Sequence, residues 1–407
     1  MPTKTKSIRF AIISIQVALL GLLSFGVYQH IPAAKAADAN IADGITVDST
    51  LDAEDTNIGN GQCNDGAGNC TLRAAIQEAN ANPDASTIEF NITGTADFTN
   101  GGEDGYTIEP QSALPYISEQ VTINGYSQPG AQPNTVVAPN PLNGRLLIEI
   151  DGNNVVLGNG LQFIDNSDSS AVRGLVLNNW TDGDAIQTLA DDIEVQGNYI
   201  GTNAAGTAAK PNEVGINVLT GNPDAGRNVL VGGLDAADRN LVSGNTAGTT
   251  GTASYPGTGW VFQGNYMGLA ADGVTPIANS ILDGSGIISI DHCSDVTIGG
   301  SQPGAINVFG ASLGHGIAPL DVDNLLIEGN YIGLAYDGTT VIDGNDHGTG
   351  ITMSDITNAE IKNNRVAGWL RSGISASTDT NDNITISGNV IHDNQEGGNR
   401  SSECYES

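Results

Sequence analysis

The chain has 407 residues, of which 54 are glycine and only 5% aromatic, about twice the usual glycine share of ~7%. That composition suits many short strands joined by tight turns and argues against one large globular core. Fourteen Lys and Arg against 46 Asp and Glu give a net charge of −32. Such a field repels nucleic acids and polyanionic glycans unless metal ions bridge, and its plainest role is solubility.

The N-terminus reads as an export signal. Lys4, Lys6 and Arg9 are basic, Ile12 to Phe25 is apolar apart from Gln16, and Ala34-Lys35-Ala36 fits a small-x-small cleavage site. An uncleaved anchor is the alternative, because Phe10 to Tyr28 has the length to span a bilayer. Either one puts the body outside the cytoplasm. Removing residues 1–36 takes away four basic residues and no acidic one, so the charge deepens from −32 to −36; the mature chain then carries no membrane span.

Residues 37–69 are acidic and turn-rich, with one early strand, Ile45-Thr46-Val47. Cys63 and Cys70 flank a Gly/Asn loop, and in an exported chain they are expected to form a disulfide. Cys293 and Cys404 have no evident partner, and the five scattered histidines show no zinc-type spacing. Leu72, Ala75, Ile76 and Ala79 then fall at i, i+3, i+4 and i+7, behind Thr71 as N-cap and ahead of Pro83. This pattern predicts an amphipathic helix.

Further along, Gly-Asn-Tyr-Ile/Met-Gly recurs at 197–201, 264–268 and 329–333, each copy followed by a small-residue loop and a Gly-Ile strand start. A fixed period marks stacked units. Within it, alternating apolar residues end in Gly-Asn or Asn-Asn, at Asn179, Asn198, Asn265, Asn330, Asn364 and Asn389. Short strands on circuits of roughly 20 residues match the coils of a parallel β-helix, three coils to each long repeat and ~13 in all. Asparagine readily takes positive φ, and its amide can bond to the next coil, so these positions predict a structural ladder. The amphipathic helix is then the cap that closes the open N-terminal end of the stack.

Cys70-Thr71-Leu72-Arg73-Ala74-Ala75-Ile76 resembles the Cys-Ser-Leu-Arg-Glu-Ala motif of CSLREA-domain proteins. The stretches 122–130 and 147–152 and the Gly-Asn-Tyr-Ile-Gly copies are similar to that family too. The resemblance covers about residues 45–394. It implies an exported bacterial protein with a right-handed parallel β-helix of the pectin-lyase-like kind. Ala74 departs from the usual Glu and removes one arm of a capping box. The expected fold is therefore all-β, a right-handed parallel β-helix (solenoid) with a short N-terminal capping helix. Its parts are a signal peptide (1–36), a cap region with the first coils (37–100), the β-helix (101–394) and a polar tail (395–407).

Alternation points Tyr199, Tyr266 and Tyr331 outward, in a line beside a ridge of loops, and places Trp180 and Trp369 just after turns. Outward aromatics can stack on sugar faces, so these five are candidate glycan contacts; the alternative is that each loop folds back over its tyrosine. Gly314-His315-Gly316 resembles the Gly-His-Gly of polygalacturonase-like glycosidases. That likeness offers His315 with Asp291 and Asp295 as an alternative catalytic set, without the adjacent Asp pair or the Arg-x-Lys of those enzymes. Basic residues such as Arg173, Lys210 and Arg371 are too dispersed to mark a lyase base. Asp343-Gly344-Asn345-Asp346-His347-Gly348 starts like a calcium loop but has Ser354 at the twelfth position; calcium is the one cofactor the chain suggests.

The last residues, 395–407, are polar and resemble no cap. A solenoid left open there is expected to continue, or to dock on a partner or a second copy. Repetition without a catalytic constellation predicts a secreted or cell-surface protein serving adhesion, surface structure or glycan binding. The alternative is a polysaccharide-degrading enzyme, either a lyase or a glycoside hydrolase.

Overall fold

The computed structural model describes residues 44–220, 226–279, 285–345, 348–376, 381–395 and 399–400. The export signal expected at 1–36 and most of the polar tail lie outside the described residues. The early strand Ile45–Val47 and the helix Leu72–Asn80 form where the pattern places them. Thr71 caps the helix through its hydroxyl, which accepts from the Ala74 amide at 3.1 Å. The missing capping-box arm is offset elsewhere. The Arg73 guanidinium bonds Asp52 at 2.8 and 2.9 Å and the carbonyls of Ser112 and Ala113 at 2.9 Å. Glu78 accepts from the amides of Gly59 and Gly61, and Cys63 is disulfide-bonded to Cys70. Leu72, Ala75, Ile76 and Ala79 are buried against the first coil, so the helix closes the core at that end.

Beyond the cap the chain winds as a parallel β-helix with three faces. One face starts with Ile45–Val47, Ser86–Phe90 and Val121–Asn124, paired in parallel. It continues through Ala171–Arg173, Glu194–Gln196, Leu230–Gly232 and Val261–Gln263. A second face runs in register through Ile148, Val176, Tyr199, Leu241, Tyr266, Val308, Tyr331, Arg365 and Val390, offset by one residue between the first two. The third face begins with Leu161–Phe163, Asp184–Thr188, Val214–Thr220 and Ala247–Thr258. Toward the C-terminus the first and third faces share long strands, Gly286–Gly299, His315–Glu328 and Ile351–Lys362. Asn399–Arg400 pairs with Ile374 and Ser375, so part of the expected polar tail joins the sheet.

The coils are longer than the sequence reading allows. Ladder asparagines follow one another at intervals of 42, 25, 42, 23, 34 and 25 residues. Each repeat of 67 or 65 residues is therefore two coils, one long and one short, and not three. The long coils carry the loops, and a search for a uniform circuit finds only the short ones.

Seven amides form the ladder: Asn198, Asn240, Asn265, Asn307, Asn330, Asn364 and Asn389. In each step one Oδ1 accepts both the backbone amide and the Nδ2 of the preceding asparagine, as Asn307 does from Asn265 at 3.0 Å each. Each Nδ2 also donates to a main-chain carbonyl of an earlier coil, Val231 in the case of Asn265 at 2.9 Å. From Asn198 to Asn364 the amides are fully buried and each has partners, which is the condition for a buried polar network to stabilise. Two expectations need correction. The positive φ belongs to the residue before the asparagine, Gly197 (68°), Gly264 (73°), Gly329 (75°), Asn363 (58°) or Gly388 (65°). Asn179 is left-handed (61°) but stands outside the ladder, bonding Asp151 at 2.8 Å.

Each residue of the Gly-Asn-Tyr-Ile-Gly motif thus has its own task. The first glycine turns the corner, the asparagine joins the ladder, the isoleucine or methionine enters the core, and the last glycine turns again at φ 88°, 77° or 78°. A second column, Asn212, Asn245 and Asn279, links coils through amide bonds of 2.8 and 3.3 Å. It extends through Ser312, whose amide donates to Asn345 Oδ1 at 3.0 Å. A third corner stacks Ser169, Asp192, Asn228, Gly259, Asp295, Asn324, Asn358 and Asn383, all between 54° and 76° in φ. That is the conformation Asn, Asp and Gly tolerate best. One apolar cluster runs unbroken inside the faces from Val47 to Ile374.

Candidate functional site

Four of the five aromatic candidates are buried. Trp180 and Trp369 lie in the main core at 1% and 0% exposure, seated on glycines: Trp180 over Gly152 and Gly160, Trp369 against Gly316 and Gly350. Tyr199 and Tyr266 do sit on the outward column of the second face, yet they are 3% and 0% exposed, and Tyr331 is half-buried. The loops after each motif fold over them and bond to one another, Ala271 to the Gly206 carbonyl at 2.9 Å and Tyr336 to that of Gly273 at 3.0 Å. A strap, residues 128–146, lies across this layer. Its Leu142 amide donates to Ala271 O at 2.8 Å. Its carbonyls at Val136 and Asn140 accept from Arg239, each at 2.8 Å, and that at Pro139 accepts from the Tyr266 hydroxyl. Arg239 itself stacks 4.9 Å from the Tyr266 ring centre. Around Tyr199 and Tyr266 the aromatic ridge is thus a second apolar core with the rings covered, and Tyr331 lies half-buried at its edge.

The alternative catalytic set is also dispersed. His315 pairs in register with Gly286, five strand positions from the level of Asp291, or roughly 16 Å at the usual rise. Its ring is half-buried and accepts the Thr349 amide at 3.0 Å. Burial pushes its pKa down, the nearby Arg371 charge adds to that, and the Thr349 bond opposes it. Asp291 pairs with His292 at 2.7 Å. Asp295 is one of the left-handed corner residues and bonds the Thr258 hydroxyl at 3.1 Å and the Asn324 amide. These three hold corners and strand starts. The calcium-like segment lies partly outside the described residues, at Asp346 and His347.

A different group converges at the N-terminal end of the second face. The outward column that is apolar and covered from Val176 to Tyr331 begins with Thr107 and Glu149, ahead of the covering loops. There a cleft of about 730 Å³ opens, lined among others by Asp97, Phe98, Thr107, Glu149, Asp151 and Lys210. Lys210 arrives from the loop after the first motif. The loop bases Thr202 with Ala209, Leu269 with Pro276 and Leu334 with Val341 are equivalent, so Lys210 stands where the later repeats have Ile277 and Ile342. Both isoleucines are buried, Ile342 within the second apolar core, whereas Lys210 reaches back to the carboxylates.

Lys210 Nζ lies 2.7 Å from Glu149 Oε1 and 3.5 Å from Asp151 Oδ2, which sets those oxygens at most 6.2 Å apart. Glu149 is 5% exposed and accepts further bonds from Asn178 Nδ2 at 2.6 Å and the Thr107 hydroxyl at 3.0 Å. Asp151 accepts from the Asn153 amide at 3.0 Å and from Asn179. Burial lowers the Lys210 pKa, but the hydrogen bond and charge of Glu149, with Asp151 behind it, overcome this and leave it raised. Asp52, at the rim, is neutralised by Arg73. Glu149, Asp151 and Lys210 carry no pattern in the sequence that singles them out. The one available signal is the lysine that interrupts an otherwise apolar repeat position.

The family model for a right-handed β-helix region matches residues 268–405, and the fold is a right-handed parallel β-helix. Solved structures similar to the chain include the A-module of mannuronan C-5 epimerase AlgE4 from Azotobacter vinelandii (13% identity, TM-score 0.36, 84% of this chain and 95% of that one). The AlgE6 A-module from the same organism follows (11%, 0.32, 84% and 96%), as does the Dettilon tailspike protein gp208 (12%, 0.30, 88% and 69%). Likeness this weak carries no argument about activity. No curated protein matches the chain. Among the described residues no helix is long and apolar enough to cross a membrane, and no group of three or more His, Cys, Asp or Glu is placed to hold a metal ion.

Proposed function

We propose that the chain is a secreted or cell-surface β-helical protein that binds glycan without cleaving it, with the N-terminal cleft as a binding site. The observation that carries this reading is the Lys210 ammonium held between Glu149 and Asp151 on the cleft floor. Glycosidic hydrolysis needs two carboxyls facing one glycosidic oxygen across an open gap; here the Lys210 ammonium occupies the space between Glu149 and Asp151. Lys210, with its pKa raised, is poorly suited to act as a base. The same groups serve recognition well. Carboxylates, an ammonium and the Thr107 hydroxyl can bond sugar hydroxyls, and the half-buried Phe98 ring offers a face for stacking. The excess of carboxylates favours neutral or amine-bearing sugars over polyuronates.

Export is supported by the Cys63–Cys70 disulfide, which persists in oxidising compartments, and by the resemblance of residues 70–76 to the CSLREA motif. The test is calorimetric titration of the mature chain with soluble oligosaccharides, alongside chromatography of the same mixtures for products. Saturable binding that weakens in Phe98→Ala and Glu149→Gln, with the sugars intact, is expected. Release of shorter or unsaturated products would establish the polysaccharide-degrading alternative instead.

A further inference from the structure

The third face carries a polar column that neither the ladders nor the cleft uses. Gln162, Gln187, Asn217, Thr250 and Ser289 stand in register on successive coils, each half-buried, on the side opposite the core. The hydrogen bonds of the first four run along the column, while the Ser289 hydroxyl accepts from the Gly286 amide of its own strand at 2.7 Å. Gln162 donates to Gln187 Oε1 at 2.6 Å, Gln187 and Asn217 both donate to Asp184 Oδ2 at 2.6 and 2.9 Å, and the Thr250 hydroxyl donates to Asn217 Oδ1 at 2.9 Å. Asp184 is only 6% exposed, so it orients the amides from beneath and contributes little charge to the surface.

Alongside this column, two residues further along the strands, stand Leu189 and Leu219 and, on the coil of Ser289, Asp291, all half-buried. In a chain of net charge −32, a strip of neutral amides and hydroxyls, flanked on two of its coils by Leu189 and Leu219, suits an uncharged partner better than an acidic one. An amide has two donor hydrogens and two acceptor lone pairs, and the bonds along the column leave part of each set free. The side chains recur once per coil, ~4.8 Å, close to the length of one sugar in an extended β-linked chain.

We infer that this strip is a second glycan site, which takes an uncharged, linear β-linked polysaccharide lying along the helix axis. Each coil offers one hydrogen-bonding side chain to one sugar, and the leucine row meets the C–H faces. The inference rests on the glycan-binding reading proposed above and names the polymer class that suits this face.

Titrations of the mature chain with neutral gluco-, manno- and xylo-oligosaccharides, with oligogalacturonate as the acidic comparator, test it. Thr250→Asp and Ser289→Asp place a charge on the strip at half-exposed positions, and unchanged melting curves confirm that both fold. A neutral β-linked oligomer is expected to bind the parent at two sites, the strip site weakened about tenfold in Thr250→Asp and Ser289→Asp, and the cleft site alone weakened in Phe98→Ala. Oligogalacturonate is expected not to bind this face. Equal affinity in parent and strip variants, or the absence of any binding by neutral oligomers, would overturn the inference. If binding falls only in Phe98→Ala, the cleft reading stands and the strip fails; if it falls only in the strip variants, the reverse holds.

Discussion

Asn265 sits mid-ladder, and its amide bonds Asn240, Asn307 and the Val231 carbonyl. Replacing it by Leu leaves buried partners unmet in two coils at once, so Asn265→Leu is expected to cost about 3 kcal/mol. Asn389, at the half-buried end of the ladder, can be replaced by water, and Asn389→Leu should cost about 1 kcal/mol. Urea denaturation of the two variants reads the difference; equal losses would show that burial of the ladder is not what matters. In the cleft, Lys210→Met strands the buried Glu149 carboxylate. The loss expected is about 1 to 2 kcal/mol, below the usual cost of an unpaired buried charge because Lys210 is partly solvated. It should largely recover in the double variant with Glu149→Gln. At this scale the sequence was readable where one residue type recurs for one physical reason, as at the asparagines. It misled where the reason was misassigned: the left-handed turn belongs to the residue before, and Tyr199 and Tyr266 point outward but under loops.

Among the elements, the corner turn Ala236–Asp238 shows how a loop adds pH dependence. Burial pushes the Asp238 pKa up to about 6, with the Asp235 and Glu194 charges adding to it and Arg173 opposing. A carboxyl raised from 3.8 favours folding while protonated. That contribution is complete below about pH 4 and is lost as the pH rises through about 6. Asp238→Asn should therefore melt higher than the parent at about pH 8 and show no such advantage at about pH 4. A variant less stable at the higher pH would show that the carboxylate is needed there in its charged form. The helix and its cap were legible because their signals are local, with Leu72, Ala75, Ile76 and Ala79 at helical spacing behind Thr71. Coil length was not. Alternating circuits of 42 and 23 or 25 residues defeat a search for one period, although Asn212, Asn245 and Asn279, spaced by 33 and 34, mark the mean.

For residues 44–395 as a whole, one continuous core stacks coil on coil, so stability passes between neighbours and the cap guards its first layer. Ile76→Ala removes a fully buried side chain from that cap, with an expected cost of about 2 to 4 kcal/mol. Hydrogen exchange should quicken first in the strands Ser86–Phe90 and Val121–Asn124 and last in Gly286–Gly299. A uniform rise would mean that the stack opens only as a unit. The cleft could not be read from the sequence because Glu149 and Lys210 are 61 residues apart and meet only where a loop of a later coil returns over an earlier one. The function proposed for the cleft is to hold a sugar that it does not cut. A crystal structure of the mature chain soaked with a neutral oligosaccharide that binds in solution tests this most directly. An intact sugar ring against Phe98, with hydroxyls bonded to Glu149, Asp151 or Lys210, is the expected result. An empty cleft at saturating ligand, or a cleaved product within it, would contradict it.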